Sequence, residues 1–247
     1  KDYPQIKGVL LCPGTGQSGF EGFGRVVAGE VNPSGRTADT YVTDLTASPW
    51  WNNFGDFKYT NASEFNSNAS MFDPEGTTPS FVNYVEGIYV GYKFYETAAD
   101  EGLIDYDKEV VYPFGYGLSY TSFAYRDLKA DEKGVTLTVT NTGSCAGAEV
   151  VQLYVAKPDA KVFRPAKELK GFTKVQLEAG ESKTVTIPLD DKAFRYWNVK
   201  TDRWEVEGGS YQLLVGASSA DIRLTAAVTV AGTGAPDPYA GKDLAHY

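Results

Sequence analysis

The nonapeptide PWWNNFGDF, residues 49–57, concentrates groups that could hold a polyhydroxylated ligand. Trp50, Trp51 and Phe54 offer flat aromatic faces against which the C–H side of a sugar ring can stack, and Asn52, Asn53 and Asp56 can hydrogen-bond hydroxyls. Trp50, Trp51, Phe54 and Asp56 are the candidate substrate-binding residues. The competing reading, and the stronger one, is that the tryptophans are packing residues under another part of the protein.

Catalytic chemistry is harder to place. Glu21, Glu30, Glu86, Asp44 and Asp56 are the carboxylates weighed as a general acid/base pair. In a chain with 32 acidic residues most carboxylates are solvated surface charges, and spacing alone brings no two of them into one cleft. No catalytic residue is assigned. The glycine-rich stretch GTGQSG, residues 14–19, lacks the Lys-Ser/Thr ending that holds a nucleotide and its magnesium, so it reads as a tight turn. The two cysteines, Cys12 and Cys145, are far apart and expected to be reduced, and the single histidine, His246, is one residue from the end. That set argues against a zinc site, a disulfide framework and a Ser-His-Asp triad. No metal or organic cofactor is expected.

A net charge of -9 repels phosphate backbones and anionic bilayers, so neither nucleic acid nor membrane is an expected partner. No apolar run reaches the length of a membrane span, and KDYPQIKGVLLCPGTG lacks the order of a signal peptide; localisation is left open. The 247 residues, 42% hydrophobic, suffice for one or two ordered cores.

The elements that must position these residues change character along the chain. Residues 6–11, IKGVLL, read as a short buried strand entering the glycine-rich turn, and GFGRVVAGEV reads as the helix that follows, making an α/β unit closed by NPSGRTADTY. Residues 46–78 are a polar, aromatic-dotted loop carrying two glycan acceptor sequons, at Asn61 and Asn68. Tyr84, Ile88, Tyr92 and Tyr95 fall at helical spacing, and Gly102 ends that helix. From Phe123 onward, short alternating runs are punctuated by Gly, Asn, Asp or Pro about every ten residues, the texture of an antiparallel β-sandwich. Trp197 and Trp204 flank the turn NVKTDR as a cross-strand or sandwich packing pair rather than a sugar platform. The final AGTGAPDPYAGKDLAHY has no periodicity and reads as a linker or a tail lying over another surface. The expected fold class is α/β plus all-β.

Four segments in order, NPSGR (32–36), EGIYVGYKFYE (86–96), YPFGYGLSYTSF (112–123) and ELKGFTKVQLEAGESKTVTIPL (168–189), resemble family 3 glycoside hydrolases, chiefly β-glucosidases. The resemblance spans nearly all of the chain. It covers only the later part of that family's α/β sandwich domain and its fibronectin-like domain, and implies a partial α/β sandwich domain over residues 1–109, an inter-domain joint over 110–122, a fibronectin type III-like β-sandwich over 123–231 and a linker or tail over 232–247; the catalytic (β/α)8 barrel has no counterpart. It implies retaining hydrolysis of terminal β-D-glucosyl residues in the intact enzyme by two carboxyl groups about 5 Å apart. The family's nucleophile lies on the barrel and its acid/base Glu upstream of the strand resembling KGVLL, so neither maps onto this chain. The chain alone is expected to be an inactive portion that scaffolds and lines one wall of the cleft, with the PWWNNFGDF loop on the pocket rim. The implied partners are a β-glucoside or oligosaccharide and a catalytic barrel in cis or in trans. A homo-oligomer is an alternative cover for the apolar surface that the barrel would bury. The tail resembles a connector toward a downstream barrel, an order some family members have. The rival expectation is a stand-alone carbohydrate-binding or structural protein.

Overall fold

The computed structural model describes residues 3–12, 14–53, 57–61, 64, 71 and 81–242. The chain opens with an extended stretch, then helix α1 (Gly19–Val27), the short strand β1 (Tyr41–Val42) and two 3-10 turns at Leu45–Ala47 and Pro49–Asn53. Helices α2 (Tyr92–Asp100) and α3 (Tyr106–Glu109) lead to strand β2 (Val110–Tyr112), which pairs antiparallel with β1.

Two expectations for this region do not hold. Ile6–Leu11 is not a strand: no neighbouring strand takes up its backbone groups among the described residues, and Ile6, Val9, Leu10 and Leu11 are all exposed. The helix expected from Tyr84 begins only at Tyr92, because Gly87 (φ 54°) and Gly91 (φ 63°) adopt left-handed backbone that interrupts a right-handed helix. Its end is as expected. Gly102 (φ 70°) stands just past the cap, with Leu103 N–H donating to Ala98 C=O at 2.8 Å and Gly102 N–H to Ala99 C=O at 3.0 Å, a Schellman closure.

The rest is a two-sheet sandwich. Strands β3 (Phe123–Asp131), β4 (Gly134–Asn141), β5 (Gly147–Ala156), β6 (Glu168–Leu177), β7 (Ser182–Pro188), β8 (Arg195–Asn198), β9 (Arg203–Val206), β10 (Gly209–Gly216) and β11 (Ile222–Val230) follow in order. The sheet β3-β4-β7 faces the sheet β11-β10-β5-β6, and β8-β9 is a separate ribbon. Alternation explains the core. Val135, Leu137 and Val139 of β4 point inward against Val151, Leu153 and Val155 of β5 and Tyr211, Leu213 and Val215 of β10. The intervening threonines of β4 face β7, where Thr136 meets Thr186 hydroxyl to hydroxyl at 3.1 Å.

Strand β5 breaks the alternation: nine of its ten residues are buried, with Val150 the exception. Its second face is covered by the preceding part of the chain. Tyr92 of α2 lies edge-on to Tyr154 at 6.1 Å, and Phe114 stacks on Tyr92 at 4.4 Å. Trp197 and Trp204 stand directly opposite one another across the β8-β9 ribbon, T-shaped at 5.6 Å and partly exposed. The tail lies over that ribbon: Asn198 Nδ2 donates to Pro236 C=O at 2.9 Å, and the rings of Phe163 and Tyr239 meet at 4.9 Å.

Candidate functional site

The tryptophan loop is held by its own polar residues. Asp44 accepts from the Thr46 backbone N–H at 2.8 Å and the Thr46 hydroxyl at 2.7 Å, which caps the first 3-10 turn and lowers the Asp44 pKa. The buried Ser48 hydroxyl meets the Tyr95 hydroxyl of α2 at 2.8 Å, fixing the start of the second turn against the helix. Burial raises the Tyr95 pKa. On that turn Trp50 is half-buried and Trp51 is 41% exposed, with ring centroids 6.2 Å apart and planes tilted by 58°. Asn53 Nδ2 donates to Glu86 Oε2 at 3.1 Å.

Two of the four candidate binding residues, Trp50 and Trp51, thus lie side by side on one turn. Phe54 and Asp56 lie outside the described residues, as do Ala62 and Ser63 of the first sequon and all of the second. The carboxylates weighed as a catalytic pair have separate structural attachments. Asp44 caps a turn, Glu86 receives Asn53, Glu30 faces Arg25 at 3.5 Å and Glu21 sits in the first turn of α1.

The densest polar constellation was not singled out in the sequence. It lies where the YPFGYGLSYTSF segment meets the sandwich. Arg36, from NPSGR, reaches Glu149 of β5 at 2.5 Å, and the two side chains are only 9% and 3% exposed. The Tyr125 hydroxyl donates to the other Glu149 oxygen at 2.7 Å, and Arg223 approaches that oxygen at 3.9 Å while lying over the Tyr125 ring. Burial, followed by the Glu149 charge, pushes the Tyr125 hydroxyl pKa far up. A second buried pair joins Glu96 of α2 to Lys167 at 2.9 Å, with the Tyr106 hydroxyl donating to Glu96 at 2.8 Å. Asn32 bridges the same seam, donating to Ala146 C=O at 2.9 Å and accepting from Ser119 and the Tyr120 N–H.

Glycine makes this approach feasible. At Gly115 (φ 77°) a Cβ would stand 2.0 Å from Gln152 Oε1, and at Gly117 one would stand 2.2 Å from the Gly35 carbonyl oxygen. Both glycines lie where backbone and side chains crowd. Among the described residues no group of three or more His, Cys, Asp or Glu could hold a metal ion, and no helix is long and apolar enough to cross a membrane.

Residues 149–219 match the model of the fibronectin type III-like domain. The chain is 41% identical over 237 residues to an exo-α-(1→6)-L-arabinopyranosidase of Bifidobacterium longum, covering 94% of this chain and 28% of that protein. It is 39% identical to thermostable β-glucosidase B of Acetivibrio thermocellus, again over 93% of this chain and 28% of the relative. The crystal structure of the Bifidobacterium adolescentis GH3 β-glucosidase superposes with a TM-score of 0.71 at 41% identity, covering 89% of this chain and 29% of that one. The chain belongs with the C-terminal part of the family 3 glycoside hydrolases. It spans little more than a quarter of the length of these relatives.

Proposed function

We propose that this chain is the non-catalytic portion of a family 3 β-glucosidase, scaffolding the intact enzyme and lining one wall of its cleft. The observation that carries the reading is the contrast between its two ends. The sandwich closes its own core, whereas the extended stretch and α1 leave Ile6, Val9, Leu10, Leu11, Phe20 and Val27 exposed. So many exposed apolar side chains in one short segment mark a surface that another protein layer covers. Here that layer is the catalytic barrel, in cis or in trans.

In this reading the division of the chain is an α/β portion over residues 1–109, a joint over 110–122, a sandwich over 123–231 and a connecting tail. Trp50 and Trp51, with Phe54 and Asp56, form the rim that meets the sugar. The reaction of the intact enzyme is retaining hydrolysis of terminal β-D-glucosyl residues, run by two carboxyl groups outside this chain. One relative is named an arabinopyranosidase, so the rim is tested with both glycosides.

The test is hydrolysis of a chromogenic β-D-glucoside and an α-L-arabinopyranoside by the chain alone and by the chain joined both to a family 3 barrel and to the α/β segment that carries the acid/base Glu. The chain alone is expected to be inactive, and the joined protein active with a KM raised by Trp51→Ala. Turnover by the chain alone would overturn the reading.

A further inference from the structure

Where NPSGR and the YPFGYGLSYTSF segment meet the sandwich, a half-open cavity of about 300 Å³ lies at the lower end of the range of ligand clefts, sized for one sugar ring rather than a chain. Its walls come from both sides. Arg36, Tyr116 and Ser119 contribute from before the sandwich, and Glu149, Asp221 and Arg223 from within it. We propose that this cavity is a binding site for one neutral monosaccharide, distinct from the tryptophan rim. The choice of a sugar rests on the reading of the chain as part of a glycosidase.

Three observations point to this class of ligand. First, the two guanidinium groups are matched by two carboxylates: Arg36 with Glu149, and Arg223 with Asp221 at 2.9 Å. A wall with balanced charge selects neither an anion nor a cation, yet it supplies donors and acceptors in pairs, which is what vicinal hydroxyls require. Second, hydrogen-bonding capacity is left over. Arg36 Nε is buried without a partner among the described residues, and the Asp221 side chain remains 52% exposed. Buried polar atoms without partners are uncommon, and each calls for an explanation. Third, Tyr116 stacks on Tyr112 at 5.4 Å, so its ring is held as a flat apolar wall for the C–H face of a pyranose. Because the walls belong to both sides of the seam, an occupant would also tie the sandwich to the NPSGR and YPFGYGLSYTSF segments.

The experiment titrates the chain with D-glucose, following heat and the backbone amide signals of Tyr116, Ser119 and Asp221. Saturable one-to-one binding is expected, with shifts at these three amides. Asp221→Asn and Tyr116→Phe should each weaken it by about tenfold, the loss of one good polar contact. Both are near-isosteric changes at accessible groups, so the fold survives them. Trp51→Ala should leave these shifts unchanged. Shifts confined to the Trp50–Trp51 turn, or none up to roughly 100 mM, two decades above a 1 mM site, would overturn the proposal. Either result leaves the barrel-joining test free to succeed, and failure of that test would leave binding at the seam measurable.

Discussion

Replacing Glu149 by Gln probes the seam most sharply, because that carboxylate receives three groups at once. Arg36 lies at 2.5 Å, the Tyr125 hydroxyl at 2.7 Å and Arg223 at 3.9 Å, and the Glu149 side chain is 3% exposed. The amide keeps an acceptor for Tyr125 but removes the only counter-charge that Arg36 has among the described residues. Stranding one member of a buried pair costs about 3–5 kcal/mol. Arg36→Met is expected to cost less, about 1.5–3 kcal/mol, the value of a hydrogen bond to a charged group. The carboxylate it leaves behind still has Tyr125 and Arg223. The control is Glu181→Gln at the exposed pair with Lys183, where a much smaller loss is expected. The assay is urea denaturation followed by tryptophan fluorescence, with thermal midpoints in parallel. At about 2–4 °C per kcal/mol for a chain of this size, Glu149→Gln should lower the midpoint by on the order of 10 °C. The reasoning is refuted if Glu149→Gln is no worse than the exposed control, or if Arg36→Met costs more than Glu149→Gln.

Other expectations follow from single contacts. Gly115→Ala, which needs φ 77° and would press a Cβ onto Gln152 Oε1, should destabilise by more than about 1 kcal/mol in the same denaturation assay. Leu137→Ala, in the centre of the sandwich core, should cost about 2–5 kcal/mol by the same readout. Burial pushes the Tyr92 hydroxyl pKa up to about 12, so the folded state holds that proton more tightly than the unfolded chain. The corresponding stability is fully present below about pH 10 and is lost as pH rises toward 12. Ultraviolet titration of tyrosinate should therefore lose a late-titrating phase in Tyr92→Phe. Limited proteolysis should cut within residues 1–109 before it cuts the sandwich; equal protection of both would contradict the proposed division of the chain.

The sandwich was legible because period-two alternation is a local signal: VTLTVTN and SYQLLVG declare their inward faces residue by residue. The near-complete burial of β5 was not legible, since EVVQLYV carries Glu149 and Gln152, two polar residues that the structure buries. Tyr84, Ile88, Tyr92 and Tyr95 carried helical spacing, yet backbone geometry at Gly87 and Gly91 outweighed it. IKGVLL reads as a strand by composition, but a strand exists only where a neighbour takes up its hydrogen bonds, and composition does not supply the neighbour. At the candidate site, residue type alone singled out Trp50 and Trp51, whose side-by-side placement depends on the Asp44 cap and the Ser48–Tyr95 contact. The Arg36–Glu149 pair was not legible, because its members are 113 residues apart and each is an ordinary charged residue in its own segment.

The central claim is that this chain works as one portion of a larger glycosidase. Its most direct test is the intact mass of the native polypeptide, isolated from its source without any chosen cloning boundary. The account predicts a mass well above the 26.9 kDa of these 247 residues, with β-glucosidase activity in the same species. A native product of 26.9 kDa that forms no complex with a catalytic barrel would contradict it, and would leave carbohydrate binding or assembly as the function of the chain.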